Sequence, residues 1–597
     1  MKQILVFQAA LVMLMWGCRQ DTTSDQRCGI VQQGEEVRYS GPLPNEVRAH
    51  LLSDPSSLHP TNSREATRGT VLDLCFQALL TLDISTRQLS PQLAASLPES
   101  SADGLEQYFT LHERAAWPDG APVTAQDVLT TIKAIMAPGA DNAHLRGYFD
   151  RLQDVRPDPA DPRRFTFVLA EYSVQNAFTG AGTYILDRRV YDPQGILDRY
   201  TLAQLRDPSS PAARDPDLRA WADTFNSARF VRDPATLGSG SGPYRFTAWN
   251  PGQEITLTRQ ETYWGRSLVA PWHSQYPDKI TFQIVKDEQA ILLKFQQQEL
   301  DVSTVLSTQL YTQLDSLADV KSCYTLANRR RDSFVSLALN VHPDGITHKP
   351  LFDDRQVRQA IAYALPLDSI LRDILPGNAF RASSPVSPGH PDHHKDLKPY
   401  PYDPAKARQL LAAAGWQDTD GDQVLDKVVD GKKISFECSF YYPPNAQAVT
   451  DFVQVIRDEL ATFGIRCTLV PESTGNYTKQ MRAHRFDMAL LSLGSPAIPY
   501  EFKQLFHSTS WPEGDNFFGY QNPALDSLID KARVASQPAA RLSLVRSIQE
   551  TLLEDLPVVF LYYPTKKIIL HRRFNHGTIY ETGEYVQLNN LRLVRSQ

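Results

Sequence analysis

Catalytic signatures are missing from this 597-residue chain: there is no GxSxG elbow, no HExxH helix and no CxxC pair. No nucleophile or structural zinc site is therefore announced by motif. The glycine run at residues 238–242 lacks the Lys-Ser/Thr of a phosphate-binding loop and fits a tight turn instead. A basic excess is also absent, since the formal net charge is -7, which argues against a nucleic-acid partner. Beyond the N-terminus nothing approaches eighteen consecutive apolar residues, the length that a membrane-spanning helix needs. Cysteine is scarce: with Cys18 set aside, Cys28, Cys75, Cys323, Cys438 and Cys467 remain. That odd number implies no disulfide framework. Cys75, Cys438 and Cys467 read as small buried residues.

What is present describes a large globular protein. The length exceeds what one hydrophobic core usually fills, so several lobes are expected. At the N-terminus, "MKQILVFQAALVMLMWGC" has one early lysine and an apolar run from Ile4 to Trp16 that stops at Gly17-Cys18. The run is too short for a comfortable span and reads as an export signal. Gly17-Cys18 resembles a bacterial lipobox, which implies lipidation of Cys18 and a tethered body, although Met15 and Trp16 depart from the usual pattern.

Local patterns give the elements. "YFTLHE" alternates like a half-buried strand, and Trp117 to Gly120 form a Pro-Asp-Gly turn. Thr124 stands three residues before Asp127, a capping-box spacing, and Val128, Leu129, Ile132 and Ile135 follow on one helical face. Trp117 and Asp127 are expected to stabilise structure and not to touch ligand. Further along, "ISFECSF", "VTDFVQVIRDELATFG" and "IRCTLV" read as strand, helix and strand, a βαβ unit with parallel pairing.

The segment "FTLHERAAWPDGAPVTAQDVLTTIKAI" resembles the hallmark of the bacterial extracellular solute-binding protein family 5, the oligopeptide- and dipeptide-binding lipoproteins of ABC importers. Other stretches follow in the family's order. They include "DPSSLHPTN", "GSGPYRFTAWNPGQEITLTRQETYWG", "LALNVHPDGITHKPLFDDRQVRQAIAYALPLDSIL", "RFDMALLSLG" and "NFFGYQNPALDSLIDKA". The resemblance implies an α/β, two-lobed periplasmic-binding-protein-like fold (type 2, cluster C) with an extra subdomain in the first lobe. Carried over, residues 1–18 are signal and lipidated cysteine. The first lobe takes 29–70, 238–334 and 555–597, its subdomain 71–237, and the second lobe 335–554. Residues 186–234, polar and rich in Asp-Pro and Ser-Pro pairs, read as a solvated insertion with short helices.

The function implied is capture of a peptide or other small-molecule ligand between the lobes and delivery to an ABC permease, by a monomer tethered through its lipid. No catalytic residue, cofactor or metal is expected. The alternatives are an exported lipid-anchored hydrolase of peptides or glycans, or a binding receptor for signalling. Ligand contacts are expected from Asn62, Ser63 and Glu65 after the first strand and from Asn340 at the lobe crossing. The second lobe adds Ser492, Gly494, Ser495, Tyr500, Glu501 and Asn516. In peptide-binding members the segment after "RFDMALLSLG" carries a tryptophan and an aspartate that pairs with the ligand's α-ammonium. Here those positions read Leu493 and Pro496. Glu501 or Glu65 could substitute, or the ligand lacks a free amine, which leaves sugars, opines and metal chelates open beside peptides.

Three further groups carry blander readings. Asp418, Asp420, Asp422 and Asp426 imitate a calcium loop, but Gln423 stands where glycine belongs and Val429 closes the loop without a carboxylate. His390, His393 and His394 read as an exposed loop, and Arg329 to Arg331 as a solvated face.

Overall fold

The computed structural model describes residues 28, 30–33, 36–39, 41–62, 66–342, 349–494, 499–512, 514–575, 578–581 and 585–594. Cys18 and the export segment lie outside these residues, as do Ser63, Glu65 and Ser495. No helix of the described residues is long and apolar enough to cross a membrane.

Among the described residues two large hydrophobic cores mark the lobes, with a smaller third cluster around Phe295, Leu314 and Tyr324. The first holds Val47, Leu58, Trp117, Ile132, Phe167, Phe225, Tyr244, Phe282 and Ile568, so the subdomain shares it with the main body of the first lobe. The second gathers Phe334, Leu337, Ile361, Phe440, Ile456, Met488, Phe506 and Leu561. One twelve-stranded sheet runs through both. In the first lobe Glu46–Leu51 and Lys279–Ile284 pair in parallel, with Lys279 opposite Glu46. In the second, Ser333–Leu339 pairs antiparallel to Met488–Gly494, and Glu437–Tyr442 pairs in parallel with Arg466–Pro471. The helix Gln447–Ala461 connects that parallel pair, which is the βαβ unit expected from the alternating pattern.

The long strand Val558–His571 belongs to both lobes. Val558 to Tyr562 pair with Ser333–Leu339, whereas Thr565 to His571 pair with Tyr324–Arg330. The chain therefore crosses outward between Arg330 and Ser333 and returns near Pro564, inside a strand. The expected boundary at 555 assigned the start of this strand to the first lobe, but its partners place it in the second.

The helix expected after Thr124 runs Ala125–Met136, and the Thr124 amide donates to Asp127 Oδ2 at 2.8 Å. Asp127 Oδ1 also accepts from the Arg188 amide at 3.0 Å. That bond ties in the insertion, which is not a solvated loop. Its short helices bury Tyr191, Leu197, Leu205, Leu218, Trp221, Phe225 and Phe230. Leu218, Trp221 and Phe225 share one face of the ten-residue helix Pro216–Phe225, whereas Tyr191, Leu197, Leu205 and Phe230 sit on helices of three to five residues, too short to show a sustained period. His59 of "DPSSLHPTN" seals it: the ring lies 4.5 Å from Phe225 and its Nε2 bonds the Phe225 carbonyl at 2.9 Å.

Burial holds three first-lobe imidazoles neutral, with His59 and His273 lowered to about 4 and His571 to about 3. In the unfolded chain each titrates near 6.5, so between these values the unfolded state binds more protons. Stability is expected to fall as pH drops from about 6.5 towards 4. A melting series across that range checks it, and a flat profile would contradict neutral burial.

The cysteines differ in part from expectation. Cys28 and Cys323 form a disulfide with Cα atoms 5.4 Å apart, fastening the start of the described chain to the first lobe. Cys75, Cys438 and Cys467 are free and buried.

Candidate functional site

Strand direction locates the cleft. Val302 sits opposite both Ala49 and Leu570, and the Val558–His571 strand runs from the second lobe into the first. The C-terminal ends of the parallel strands Glu46–Leu51 and Lys279–Ile284 therefore point at the second lobe. By the same reasoning Glu437–Tyr442 and Met488–Gly494 end towards the first lobe, because Gly494 is opposite Ser333 at the crossing. Loops beyond the carboxyl ends of such strands are where open α/β sheets bind ligands.

On the first-lobe side the loop 52–62 is held rigidly. Asp54 accepts from Trp249 Nε1 at 2.6 Å and from the Gly252 amide at 2.8 Å. Ser57 Oγ donates to Asn62 Oδ1 at 2.7 Å, and Arg68 Nη1 donates to the carbonyls of His59 and Pro60. Behind the loop, Gly240 and Gly242 press against the Cys75 backbone. A Cβ on Gly240 would lie 2.1 Å from the Cys75 carbonyl oxygen, so the glycine turn before "PYRF" serves close packing.

On the second-lobe side the strand Met488–Gly494 outruns its neighbour. Glu437–Tyr442 pairs with it only at Met488 and Ala489. From Leu491 to Gly494 one edge has no strand partner among the described residues, and Ser492 and Gly494 are exposed there. An open edge at a cleft suits an extended ligand added as a further strand.

The loop that follows is anchored from behind. Asp392 makes a bidentate ion pair with Arg541 at 2.7 and 2.6 Å and accepts from the Tyr500 amide at 2.8 Å. Tyr500 is buried against Phe502 and His390. Glu501 is engaged already: its Oε1 accepts from the Lys503 amide at 2.9 Å, and its Oε2 lies 3.6 Å from Arg533 Nε. Arg151 of the subdomain faces this pair, its pKa lowered by burial and by Arg533 and raised by Glu501 and Glu171. Beside them Gln175 Nε2 donates to the Pro499 carbonyl at 2.8 Å, so the lobes touch across the cleft mouth. At the hinge, Asp332 accepts from Arg87 of the subdomain at 2.7 Å and from Ser387 of the second lobe at 3.0 Å. Arg330 and Arg331 are exposed, as expected of a solvated face, with Arg330 lying over Phe380 at 4.6 Å and half-buried Arg329 pairing with Glu581 at 3.4 Å beside the crossing.

Two expected contacts lie elsewhere. Asn340 follows the end of Ser333–Leu339 remote from the crossing, where its Nδ2 donates to the His484 and Phe486 carbonyls at 3.0 Å. Asn516 is fully buried beyond that same end and donates to the Tyr520 carbonyl at 2.8 Å. Both amides staple loops. Their motifs identify the segment, but only the strand direction reveals which end meets the cleft. A cavity of about 330 Å³ at this outer end has Arg355, Arg358 and Asp555 among its lining. Arg358 donates to the Asp555 carbonyl and Arg355 pairs with Glu554, so its charges serve the lobe itself.

The histidines are not an exposed cluster. His390 and His394 are buried. His393 Nδ1 bonds the Val386 carbonyl at 2.8 Å and His394 Nε2 lies 3.1 Å from Glu550, so each ring has its own task. Asp418, Asp420 and Asp426 bring carboxylate oxygens within 4.8 Å of one another. Lys433 Nζ sits among them, 2.6 Å from Asp420 and 3.0 Å from Asp426. That one ammonium offsets part of the charge of the three carboxylates from within the chain. Gln175, Arg151, Arg87 and Asp332 carried no local sequence signal, since their partners are brought close only by the fold.

Residues 88–512 match the family described as bacterial extracellular solute-binding proteins, family 5 Middle. The chain is 30% identical over 484 residues to the oligopeptide-binding protein AppA of Bacillus subtilis (strain 168), covering 80% of this chain and 79% of that protein. The structure of that AppA in complex with a nonapeptide aligns with a TM-score of 0.69 at 22% identity, over 92% of this chain and 99% of the other. NikA from Brucella suis in complex with Fe(III)-EDTA aligns with a TM-score of 0.71 at 18% identity, over 92% and 99%.

Proposed function

Because the chain belongs to the bacterial extracellular solute-binding proteins, family 5, we propose that it captures a peptide or similar small solute between its lobes and hands it to an ABC permease. The observation that carries this reading is the strand edge Leu491–Gly494, open among the described residues, at the mouth of a cleft that two crossing segments span there. The ligand lies along that edge, between Asn62 of the first lobe and Ser492 and Gly494 of the second; Ser63, Glu65 and Ser495 are kept as further candidate contacts on sequence grounds alone. Tyr500 shapes the loop from behind. The closed lobes are joined at Gln175 and Pro499, and a hinge at residues 330–333 and near Pro564 opens them. Ligand favours closure to the extent that it binds the closed form better.

The protein works outside the cytoplasm, anchored by a lipid on Cys18, as a monomer and without turning over what it binds. Glu501 already serves Arg533 and Lys503, so it does not counter a ligand ammonium. Glu501→Gln is expected to leave peptide affinity within about twofold in calorimetry. A tenfold loss would return Glu501 to the ligand. Gln175→Ala removes one cross-cleft hydrogen bond, worth about 1 kcal/mol, and is expected to weaken binding about fivefold.

The reading as a whole is tested with a peptide pool from digested casein. At a hundred times its dissociation constant a bound peptide adds about 2.7 kcal/mol, read as a higher melting temperature, and is recovered chemically intact. Cleaved peptide would support the hydrolase alternative.

A further inference from the structure

Two free cysteines of the second lobe face one another on neighbouring strands. Cys438 of Glu437–Tyr442 is registered against Cys467 of Arg466–Pro471 in a parallel pair, and their Sγ atoms are 3.3 Å apart in a buried site. Neither side chain reaches the cleft loops. Parallel neighbours run about 4.7–4.9 Å apart, which lies within the Cα separation of about 4.4–6.8 Å that a disulfide spans. Joining the two sulfurs therefore needs rotation about side-chain bonds and no change of strand register.

We propose that Cys438 and Cys467 are a redox modification site that closes to a second disulfide, clamping the second lobe as Cys28–Cys323 clamps the first. The oxidant is a protein or small-molecule disulfide met outside the cytoplasm. One cysteine thiolate attacks a sulfur of that disulfide, forms a mixed disulfide and releases a thiolate. The other cysteine then attacks the chain's own sulfur in the mixed disulfide, forming the Cys438–Cys467 bond and expelling the second thiolate. The pair gives up two electrons and two protons, and the oxidant leaves as two thiols.

Timing follows from the surroundings. The contact with Cys467, and then burial, push the Cys438 thiol well above its ordinary value, so the folded pair is a poor nucleophile. Arg466–Pro471 is the last strand of the sheet, free to dock late. Exchange takes place before it docks or when it opens locally. Cys75 is an internal control, because it is fully buried and free on the other lobe.

The test is to refold reduced protein in a glutathione redox buffer, then denature it with an alkylating agent, digest it and map cysteines by mass spectrometry. Formation of the Cys28–Cys323 link shows that oxidation was sufficient. The expected result is a linked Cys438–Cys467 peptide with Cys75 alkylated, and in Cys467→Ser an alkylated Cys438. Alkylation of both Cys438 and Cys467 in molecules carrying the Cys28–Cys323 link would overturn the proposal. So would a link from either of them to Cys75.

Discussion

Asp301→Asn is expected to destabilise the first lobe by about 3–5 kcal/mol, the usual cost of removing one partner from a buried ion pair. Asp301 is wholly buried and receives two guanidinium groups. Arg573 donates to its oxygens at 3.0 and 2.8 Å, and Arg48 does so at 3.0 and 3.0 Å with a backbone bond at 2.8 Å. Arg573 also donates to the Pro44 and Glu46 carbonyls, so the cluster binds the strand Glu46–Leu51, the strand after Asp301 and the end of the long crossing strand into one unit. The amide cannot neutralise two buried cations. Burial alone would raise the Asp301 carboxyl, yet Arg573 and Arg48 hold it below its ordinary value. Its contribution is thus complete above the unfolded value of about 4 and lost as pH falls through the lower folded value. Urea unfolding of wild type and variant measures the loss. A change under about 1 kcal/mol would contradict the structural role given to the cluster.

The second large effect concerns the ligand. N–H groups along Met488–Gly494 alternate between the neighbour Ser333–Leu339 and the open edge. Proline removes one of them and adds a ring. Of Ser492→Pro and Leu493→Pro, the variant that loses the edge-facing N–H is expected to bind peptide at least about tenfold more weakly, since 1.4 kcal/mol falls within the cost of one unmet hydrogen bond. Its partner loses a ladder bond and melts lower. Peptide titration with a parallel melting curve separates them. Unchanged affinity in both would remove strand addition at this edge from the mechanism.

What could be read from sequence follows the range of the interactions concerned. Thr124 and Asp127 are three residues apart and their cap was legible, as was the parallel pair around Gln447–Ala461. Ser492 and Gly494 fall at the cleft because they end a strand of recognisable pattern. Asn340 and Asn516 lie at the outer end of their strand because a motif fixes the segment and not the direction in which it points. The insertion looked solvated because Tyr191, Leu205 and Phe230 lie on helices of four and five residues among polar Asp-Pro and Ser-Pro pairs, although Leu218, Trp221 and Phe225 do share one helical face. Asp301 meets Arg48 and Arg573 across separations of 253 and 272 residues, beyond any local pattern. Gln175 meets Pro499 across 324, which is why the cross-cleft contact had no sequence signal.

Small-angle X-ray scattering of the protein, stripped of ligand by unfolding and refolding and then loaded with the casein peptide pool, tests the clamp most directly. The account predicts that loading makes the particle more compact as the lobes meet at Gln175 and Pro499. Peptide bound at saturation with an unchanged scattering curve would contradict capture by closure.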